Sequence, residues 1–204
     1  DGRVAVAGFY DGVQEPTPEE RALLTGLPFD PTAYEALTGV PPVGGEQQYH
    51  PLERTGFRPA LDVNGLQAGY AGAGSKTIIP ASAMAKLSAR LVPGQNPDRI
   101  LGAIIEHLRQ RTPRGLRLEV SEQGSGGQAL RVDLHAPPVQ LARTVLDELS
   151  GGRTAFLWEG ASVPVLSKLP EITGGVPVLV GFGSEEDHIH APNESFSLEQ
   201  LRNG

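Results

Sequence analysis

The chain has 204 residues with 24 acidic and 17 basic side chains, which give a formal charge of −7, and 39% of its residues are hydrophobic. This length suffices for one large or two small globular cores, and the hydrophobic content is too high for a disordered tail. The acidic balance without a basic block argues against nucleic-acid binding, and no apolar run approaches the ~20 residues of a membrane-spanning helix.

The chain contains no cysteine. Disulfides, thiolate metal sites and a cysteine nucleophile are therefore excluded, and a metal ion would need His and carboxylate ligands. We expect a cytoplasmic protein, because the lack of cysteine fits a reducing compartment.

The sequence opens on Asp1 in a strand-like segment and stops at Gly204 in a helix-like one, so we expect a fragment of a longer protein.

The first part of the chain predicts short elements separated by turns. Thr17 and Glu20 form a capping box around Pro18, which predicts a short helix through Leu24. The elements predicted after it are a loop over 38–50, a strand over 58–70, an alternating strand over 83–92, a helix from Asn96 and Pro97, and a strand over 116–122. The order β, β, α, β predicts an α+β layer, in which an antiparallel sheet carries helices on one face.

The pattern changes after the flexible stretch 121–128. The elements predicted there are a helix over 138–149, a strand over 153–158, a helix over 162–172 and a buried strand over 176–180. Alternating helices and strands with one all-apolar strand are typical of a parallel or mixed sheet that is covered on both faces. We therefore predict two domains, residues 1–135 and 136–204.

The loop over 181–195 (GFGSEEDHIHAPNES) concentrates acids and two imidazoles after a predicted buried strand. Ligand sites in α/β proteins commonly lie at such positions. His188 and His190, two residues apart, could point the same way from an extended segment and share a metal ion. The alternative is an acidic surface loop.

Two other features could bind an anion. Glu159 to Ser162 lead from a predicted strand into a helix, whose first N–H groups could bind a carboxylate or phosphate, although Ser162 could equally be an ordinary helix cap. Arg90 lies on the polar face of its predicted strand and could hold an anionic substrate with its planar fork, or it could be a solvated arginine. We interpret the remaining histidines as structural; these are His50, His107 and His135.

Three separated motifs resemble one family. Residues 72–100 (GAGSKTIIPASAMAKLSARLVPGQNPDRI) resemble the lid, or dimerisation, domain of the carnosinase-like zinc metallopeptidases, relatives of acetylornithine deacetylase, succinyl-diaminopimelate desuccinylase and glutamate carboxypeptidase. Residues 158–174 (WEGASVPVLSKLPEITG) resemble that family's R-E-G-G-S-I-P segment, and residues 190–194 (HAPNE) resemble its last metal-ligand motif. The motifs occur in the family's order over nearly the whole chain.

The resemblance implies a fold and a set of site residues. It implies an α+β lid domain followed by the C-terminal portion of an α/β catalytic domain. His190 matches the last ligand of a two-zinc site and would be this chain's only ligand. Substrate-binding positions are matched by Thr77, Arg90, Ala161 and Ser162. The first two would hold a C-terminal carboxylate, which in that family is reached from the lid of the partner subunit. Asn193 and Glu194 match positions that orient the metal ligands.

The chain also departs from the family pattern. Trp158 replaces an Arg and Ala161 replaces a Gly, which would make the substrate pocket narrower and more apolar, and His188 has no counterpart. The family's H-x-D motif, general-base Glu and D-L-H-S-G segment do not occur here. We therefore expect part of a zinc dipeptidase that forms homodimers through the lid and acts on dipeptides, with this chain inactive alone and with no catalytic residue of its own. The alternatives are an N-acyl amino acid deacylase and a noncatalytic dimerisation module.

Overall fold

The computed structural model describes residues 1–121, 124, 126–160 and 163–203. In that part of the chain, the helices are α1 (Pro18–Thr25), α2 (Pro31–Thr38), α3 (Pro51–Phe57), α4 (Pro97–Arg111), α5 (Pro137–Ser150), α6 (Leu169–Thr173) and α7 (Leu198–Asn203). The strands are β1 (Ala60–Ala68) and β2 (Ala83–Arg90), and short 3-10 turns cover Pro164–Ser167 and Glu185–Asp187.

Proline occupies the first position of each of the helices α1 to α5. Its fixed φ suits that position, and its missing N–H costs nothing there. The capping box predicted for α1 is confirmed: the Glu20 amide donates to Thr17 Oγ1 at 3.2 Å and the Thr17 amide donates to Glu20 Oε2 at 2.7 Å. His50 caps α3, because its Nδ1 accepts the amide N–H of Leu52 at 3.3 Å.

The sheet is antiparallel, as predicted, and consists of β1 and β2 within the described residues. Ala60 pairs with Arg90 at one end and Ala68 pairs with Ala83 at the other, so the register places Arg90 beside the start of β1. A register shift between Val63 and Gly65 marks a β-bulge.

The core lies between the N-terminal segment and α4. Val6 and Phe9 pack against Ile100 and Ile104 of the amphipathic helix, and Leu61 of β1 joins them. Burying such side chains is the main favourable contribution to folding. Leu61 thus joins β1 to the cluster that holds α4.

A buried ionic cluster supports the start of β1. The Arg58 guanidinium donates to Glu46 Oε2 at 2.5 Å and to Glu15 Oε1 at 2.7 Å, and it lies 4.2 Å from the centre of the Tyr49 ring. Both Arg58 and Glu46 are buried. Because a buried charge needs a partner, this cluster fixes the 42–50 connection against the sheet.

Arg131 and His135 join the end of the predicted lid segment to α1. Arg131 Nε donates to Glu20 Oε1 at 2.9 Å, and its Nη2 pairs with the other carboxylate oxygen. Burial of Glu20 would raise the pKa of its carboxyl, but hydrogen bonds from Arg131 and Thr17 outweigh burial and lower it. His135 Nε2 lies 2.9 Å from Glu19 Oε2.

Several predicted strands are wrong. The structure assigns no strand to 116–121, to 153–158 or to 176–180, and the apolar side chains of the last segment are exposed rather than buried. An alternating pattern or an apolar run predicts which side chains of a strand are buried. A strand also needs a neighbouring strand to complete its backbone hydrogen bonds. The parallel or mixed sheet is therefore not present in the described part of the chain.

The predicted helices agree better with the structure. Helix α5 confirms the helix predicted over 138–149. The helix predicted over 162–172 is replaced by the 3-10 turn Pro164–Ser167 followed by α6, while Ser162 lies outside the described residues. The domain boundary near residue 136 stays a prediction.

Candidate functional site

Arg90 ends β2 and reaches a segment far along the chain. Its exposed guanidinium donates from Nη1 to the carbonyl oxygen of Gly160 at 3.4 Å. Gly160 directly precedes Ala161 and Ser162 in the sequence. Those two predicted site residues lie outside the described part of the chain. The structure thus joins Arg90 to the segment that leads into them.

The segment 158–160 rests on the end of α3. The rings of Trp158 and Phe57 have centroids 5.4 Å apart at an interplanar angle of 39°. A Cβ atom placed on Gly56 would lie 2.5 Å from Trp158 Cβ, and one placed on Gly160 would lie 3.0 Å from the carbonyl oxygen of Thr55. Both glycines therefore permit a close approach that a larger residue would block.

Sequence reasoning missed this support because it did not predict α3. The signal was present: His50 and Glu53 flank Pro51 with the spacing of a capping box, and the Glu53 carboxylate accepts the His50 amide N–H at 3.1 Å. Capping boxes normally begin with Ser or Thr, so a histidine cap is easily overlooked.

Thr77 lies exposed in the connection between β1 and β2. In that connection, Lys76 Nζ lies 5.2 Å from the centre of the Tyr70 ring. The described hydrogen bonds link Arg90 to Gly160, and none of them links Thr77 to either residue. Of the two residues predicted to hold the carboxylate, Arg90 is thus joined to the 158–160 segment, and no described hydrogen bond joins Thr77 to it.

The loop around His190 consists of successive tight turns. His188, His190 and Asn193 all have left-handed backbone conformations, with φ of 52°, 63° and 65°. The side chains of these residues and of Glu194 are exposed. The premise that His188 and His190 belong to an extended segment is therefore wrong.

Asp187 lies buried beneath this loop. Its side-chain oxygens accept the amide N–H of Ser184 at 2.7 Å and the Nε2 of Gln200 at 3.1 and 3.2 Å. Donation by the Ser184 amide is the main cause that lowers the pKa of Asp187, and the nearby His188 adds to it. Sequence reasoning did not select Asp187, although a carboxylate three residues after a serine is the pattern of a capping box.

The metal-binding capacity of the chain is limited. Within the described residues, no group of three or more His, Cys, Asp or Glu side chains could hold a metal ion. A catalytic zinc site needs three protein ligands and an open position. His190 can contribute one imidazole, so these residues do not form a complete zinc site by themselves.

One protein-family model matches part of the chain. Residues 24–116 match the peptidase dimerisation domain. This part of the chain is similar to the dimerisation domain of the M20 peptidases. This confirms the resemblance seen in the sequence, and the matched residues lie within the predicted lid domain.

Three M20 relatives or similar structures illustrate the match. The chain is 23% identical to a Cys-Gly metallodipeptidase of Candida albicans, covering 100% of this chain and 42% of that protein. It is 23% identical to the Beta-Ala-His dipeptidase of Rattus norvegicus, covering 96% of this chain and 40% of that protein. The crystal structure of an M20 family metallo-carboxypeptidase from Sulfolobus solfataricus superposes with a TM-score of 0.81 at 27% identity, over 99% of this chain and 46% of that one.

The M20 match spans less than half the length of these relatives. Two of the three are named as a metallodipeptidase and a metallo-carboxypeptidase, so a metal cofactor belongs to their chemistry. Within the described part of this chain, no helix is long and apolar enough to cross a lipid bilayer.

Proposed function

We propose that this chain is the C-terminal part of a zinc dipeptidase that cleaves a peptide bond next to a free C-terminal carboxylate. The observation that supports this most directly is the hydrogen bond from Arg90 to the Gly160 carbonyl. It joins two of the motifs that resemble substrate-binding segments. Arg90 and Gly160 are 70 residues apart in the sequence, so the tertiary fold brings them together.

Arg90 is suited to a substrate carboxylate. A guanidinium has five N–H donors, and the contact with Gly160 uses one nitrogen, so other N–H groups of the exposed side chain remain available. A bidentate pair with a carboxylate would use two N–H groups on one edge of the planar guanidinium. In this proposal, Thr77, Ala161 and Ser162 add the remaining polar contacts.

His190 would supply one ligand to a site of two zinc ions. The other ligands and the general base would come from outside this chain, since the described residues lack a complete metal site. Zinc, when bound, supplies a Lewis acid that polarises the scissile carbonyl. Asn193 and Glu194, which lie in the same loop as His190, would orient the ligands.

The exposed apolar surface supports a larger assembly. Val176, Val178, Leu179 and Val180 have exposed fractions between 39% and 61% in a chain that spans 42% of a relative. Contiguous exposed apolar residues commonly mark an interaction surface. We propose that the rest of a longer protein covers this segment.

Activity measurements test the proposal in two steps. With zinc, cobalt or manganese added, the isolated chain should not hydrolyse dipeptides or N-acetyl amino acids. The longer protein should hydrolyse dipeptides, and His190→Ala should abolish this activity while His188→Ala, a change two residues away, should retain it. Turnover by the purified chain alone, or equal losses in the two variants, would contradict the proposal. Preference for N-acetyl amino acids would instead assign a deacylase.

A further inference from the structure

Asp187 joins three parts of the chain around the His190 loop. Its side chain accepts the amide N–H of Ser184 at 2.7 Å and the Ser184 hydroxyl at 3.3 Å. Its backbone carbonyl accepts the amide N–H of Ser195 at 2.9 Å. The backbone carbonyl of Asp187 thus closes the loop 188–194 at its base, and the buried side chain of the same residue fixes it to the segment before the loop.

Gln200 extends this closure to α7. Its Nε2 lies 3.1 and 3.2 Å from the two Asp187 side-chain oxygens and 3.2 Å from the Phe182 carbonyl oxygen. Gln200 is itself held in place by Ser197. The backbone N–H of Gln200 donates to Ser197 Oγ at 3.0 Å, and the side-chain Oε1 of Gln200 accepts the backbone N–H of Ser197 at 2.9 Å. The carboxylate of Asp187 therefore links the segment before the loop to the helix after it.

The loop needs such support because its backbone is strained. Left-handed φ values at His188, His190 and Asn193 are unfavourable for residues with a Cβ atom. Residues in sparsely populated backbone regions persist only where the surrounding structure determines their conformation. The hydrogen bonds that converge on Asp187 are the contacts in the described residues that close this loop at both ends.

We propose that Asp187 is a positioning residue that holds His190 in the backbone conformation from which its imidazole reaches a metal ion. This inference rests on the proposed function, because that function assigns the metal to His190. Asp187 acts through the loop and needs no contact with the metal or the substrate. Gln200 supports it from α7.

The first test concerns the loop and uses this chain alone. Asp187→Asn replaces one acceptor oxygen with an amide that faces the donors of Ser184 and Gln200. We expect amide hydrogen exchange of Ala191 and Ser195 to become at least about tenfold faster, whereas Ile104 in α4 keeps its protection. The matched control is Glu186→Gln, which removes an exposed carboxylate at the neighbouring position. It should leave the exchange rates of Ala191 and Ser195 unchanged. Unchanged exchange in Asp187→Asn would overturn the inference.

The second test concerns the metal and uses the longer protein loaded with Zn²⁺. A chelator competition measures the zinc dissociation constant of the wild type, Asp187→Asn, Glu186→Gln and His190→Ala. We expect Asp187→Asn to weaken zinc binding by about ten- to a hundredfold, the usual effect of removing a residue that orients a ligand. Glu186→Gln should bind zinc as the wild type does.

The outcomes separate the two proposals. If His190→Ala weakens zinc binding and Asp187→Asn does not, the positioning role is wrong while the proposed function stands. If His190→Ala itself leaves zinc binding unchanged, His190 is not a ligand, and both the proposed metal role and the inference are wrong. The inference is supported if His190→Ala and Asp187→Asn both weaken zinc binding while Glu186→Gln binds zinc as the wild type does.

Discussion

The backbone of α3 at Gly56 lies directly against Trp158, so that a methyl group on Gly56 would come within 2.5 Å of Trp158 Cβ and 2.6 Å of its carbonyl oxygen. Neither atom is the flexible end of a side chain, so neither can move without a shift of the backbone. This contact, together with the packing of the tilted Trp158 ring against Phe57, fixes the segment that carries Gly160 beside Arg90.

Gly56→Ala should therefore destabilise the chain. Alanine is the better helix former by about 0.5–1 kcal/mol, but overpacking of this kind typically costs about 1–3 kcal/mol. We expect a net loss in the free energy of unfolding, measured by urea denaturation. Gly102→Ala in α4 is the matched control, since a Cβ there meets no atom within 4 Å, and it should stabilise the chain. Equal stabilisation by both substitutions would show that Trp158 does not pack on α3.

The pair of His135 and Glu19 should make stability depend on pH. The hydrogen bond from His135 to Glu19 raises the pKa of His135 above its ordinary value of 6.5, and the negative charges of Glu19 and Asp133 add to this. A raised pKa in the folded state means that the pair stabilises the chain fully below pH 6.5 and less as pH rises through the folded-state pKa.

Thermal unfolding between pH 5.5 and 8.5 measures this dependence. We expect the Tm of the wild type to fall over the upper part of this range more than that of His135→Gln or Glu19→Gln. The prediction would be contradicted if the Tm of the wild type and of His135→Gln changed with pH in the same way.

The sequence predicted elements whose signals are local. The capping box at Thr17 and the apolar stripe of α4 specify helix ends and a buried face within one segment, and both are confirmed. Residues 176–180 carry a strand pattern that is equally clear, but a strand depends on partners elsewhere, and the structure shows this segment exposed. Local patterns therefore predicted the helices better than the sheet.

The candidate site was predictable only in part for a similar reason. Arg90 and His190 were selected first by residue type and position and then by resemblance to motifs, but the contact of Arg90 with Gly160 could not be inferred from spacing. Asp187 was missed because its role consists of hydrogen bonds to Ser184, Ser195 and Gln200. These hydrogen bonds depend on the folded conformation of the loop and of α7, so residue type and spacing alone do not predict them.

We expect the chain to form a homodimer through its dimerisation domain. In the described residues, β1 and β2 pair only with each other, so each has one edge without a neighbouring strand. Unpaired edges invite pairing with a second copy, and symmetric dimers are the most common oligomers. Sedimentation equilibrium at micromolar concentrations should show a dimer, and a monomer throughout would contradict the expectation.

Lysine substitutions locate the interface. Leu66→Lys with Met84→Lys places one charge on each strand at side chains that are 77% and 44% exposed, and it should shift the equilibrium towards monomer. The control is Leu141→Lys with Val145→Lys on α5, where the exposed fractions are 67% and 47%. Dissociation by the α5 pair rather than the strand pair would place the interface on the helix.

The substrate role of Arg90 can be measured in the longer protein. If Arg90 forms a bidentate pair with the substrate carboxylate, Arg90→Ala should cost ~2–4 kcal/mol, or about thirty- to a thousandfold in kcat/KM, and Arg90→Lys should also lose activity because lysine lacks the planar fork. A solvated arginine would contribute under about 1 kcal/mol. Arg117→Lys is the control, because Arg117 is 85% exposed and pairs with Glu119 at the surface.

An amidated dipeptide separates binding of the carboxylate from support of the fold. It lacks the charged group that Arg90 would hold, so the wild type should use it poorly and Arg90→Lys should change that low rate little. Equal losses on the free and the amidated dipeptide would mean that Arg90 serves the structure through Gly160, since its hydrogen bond to that carbonyl is present without substrate. Unchanged rates on both substrates would make Arg90 a solvated surface residue and would remove the main support for the proposed carboxylate site.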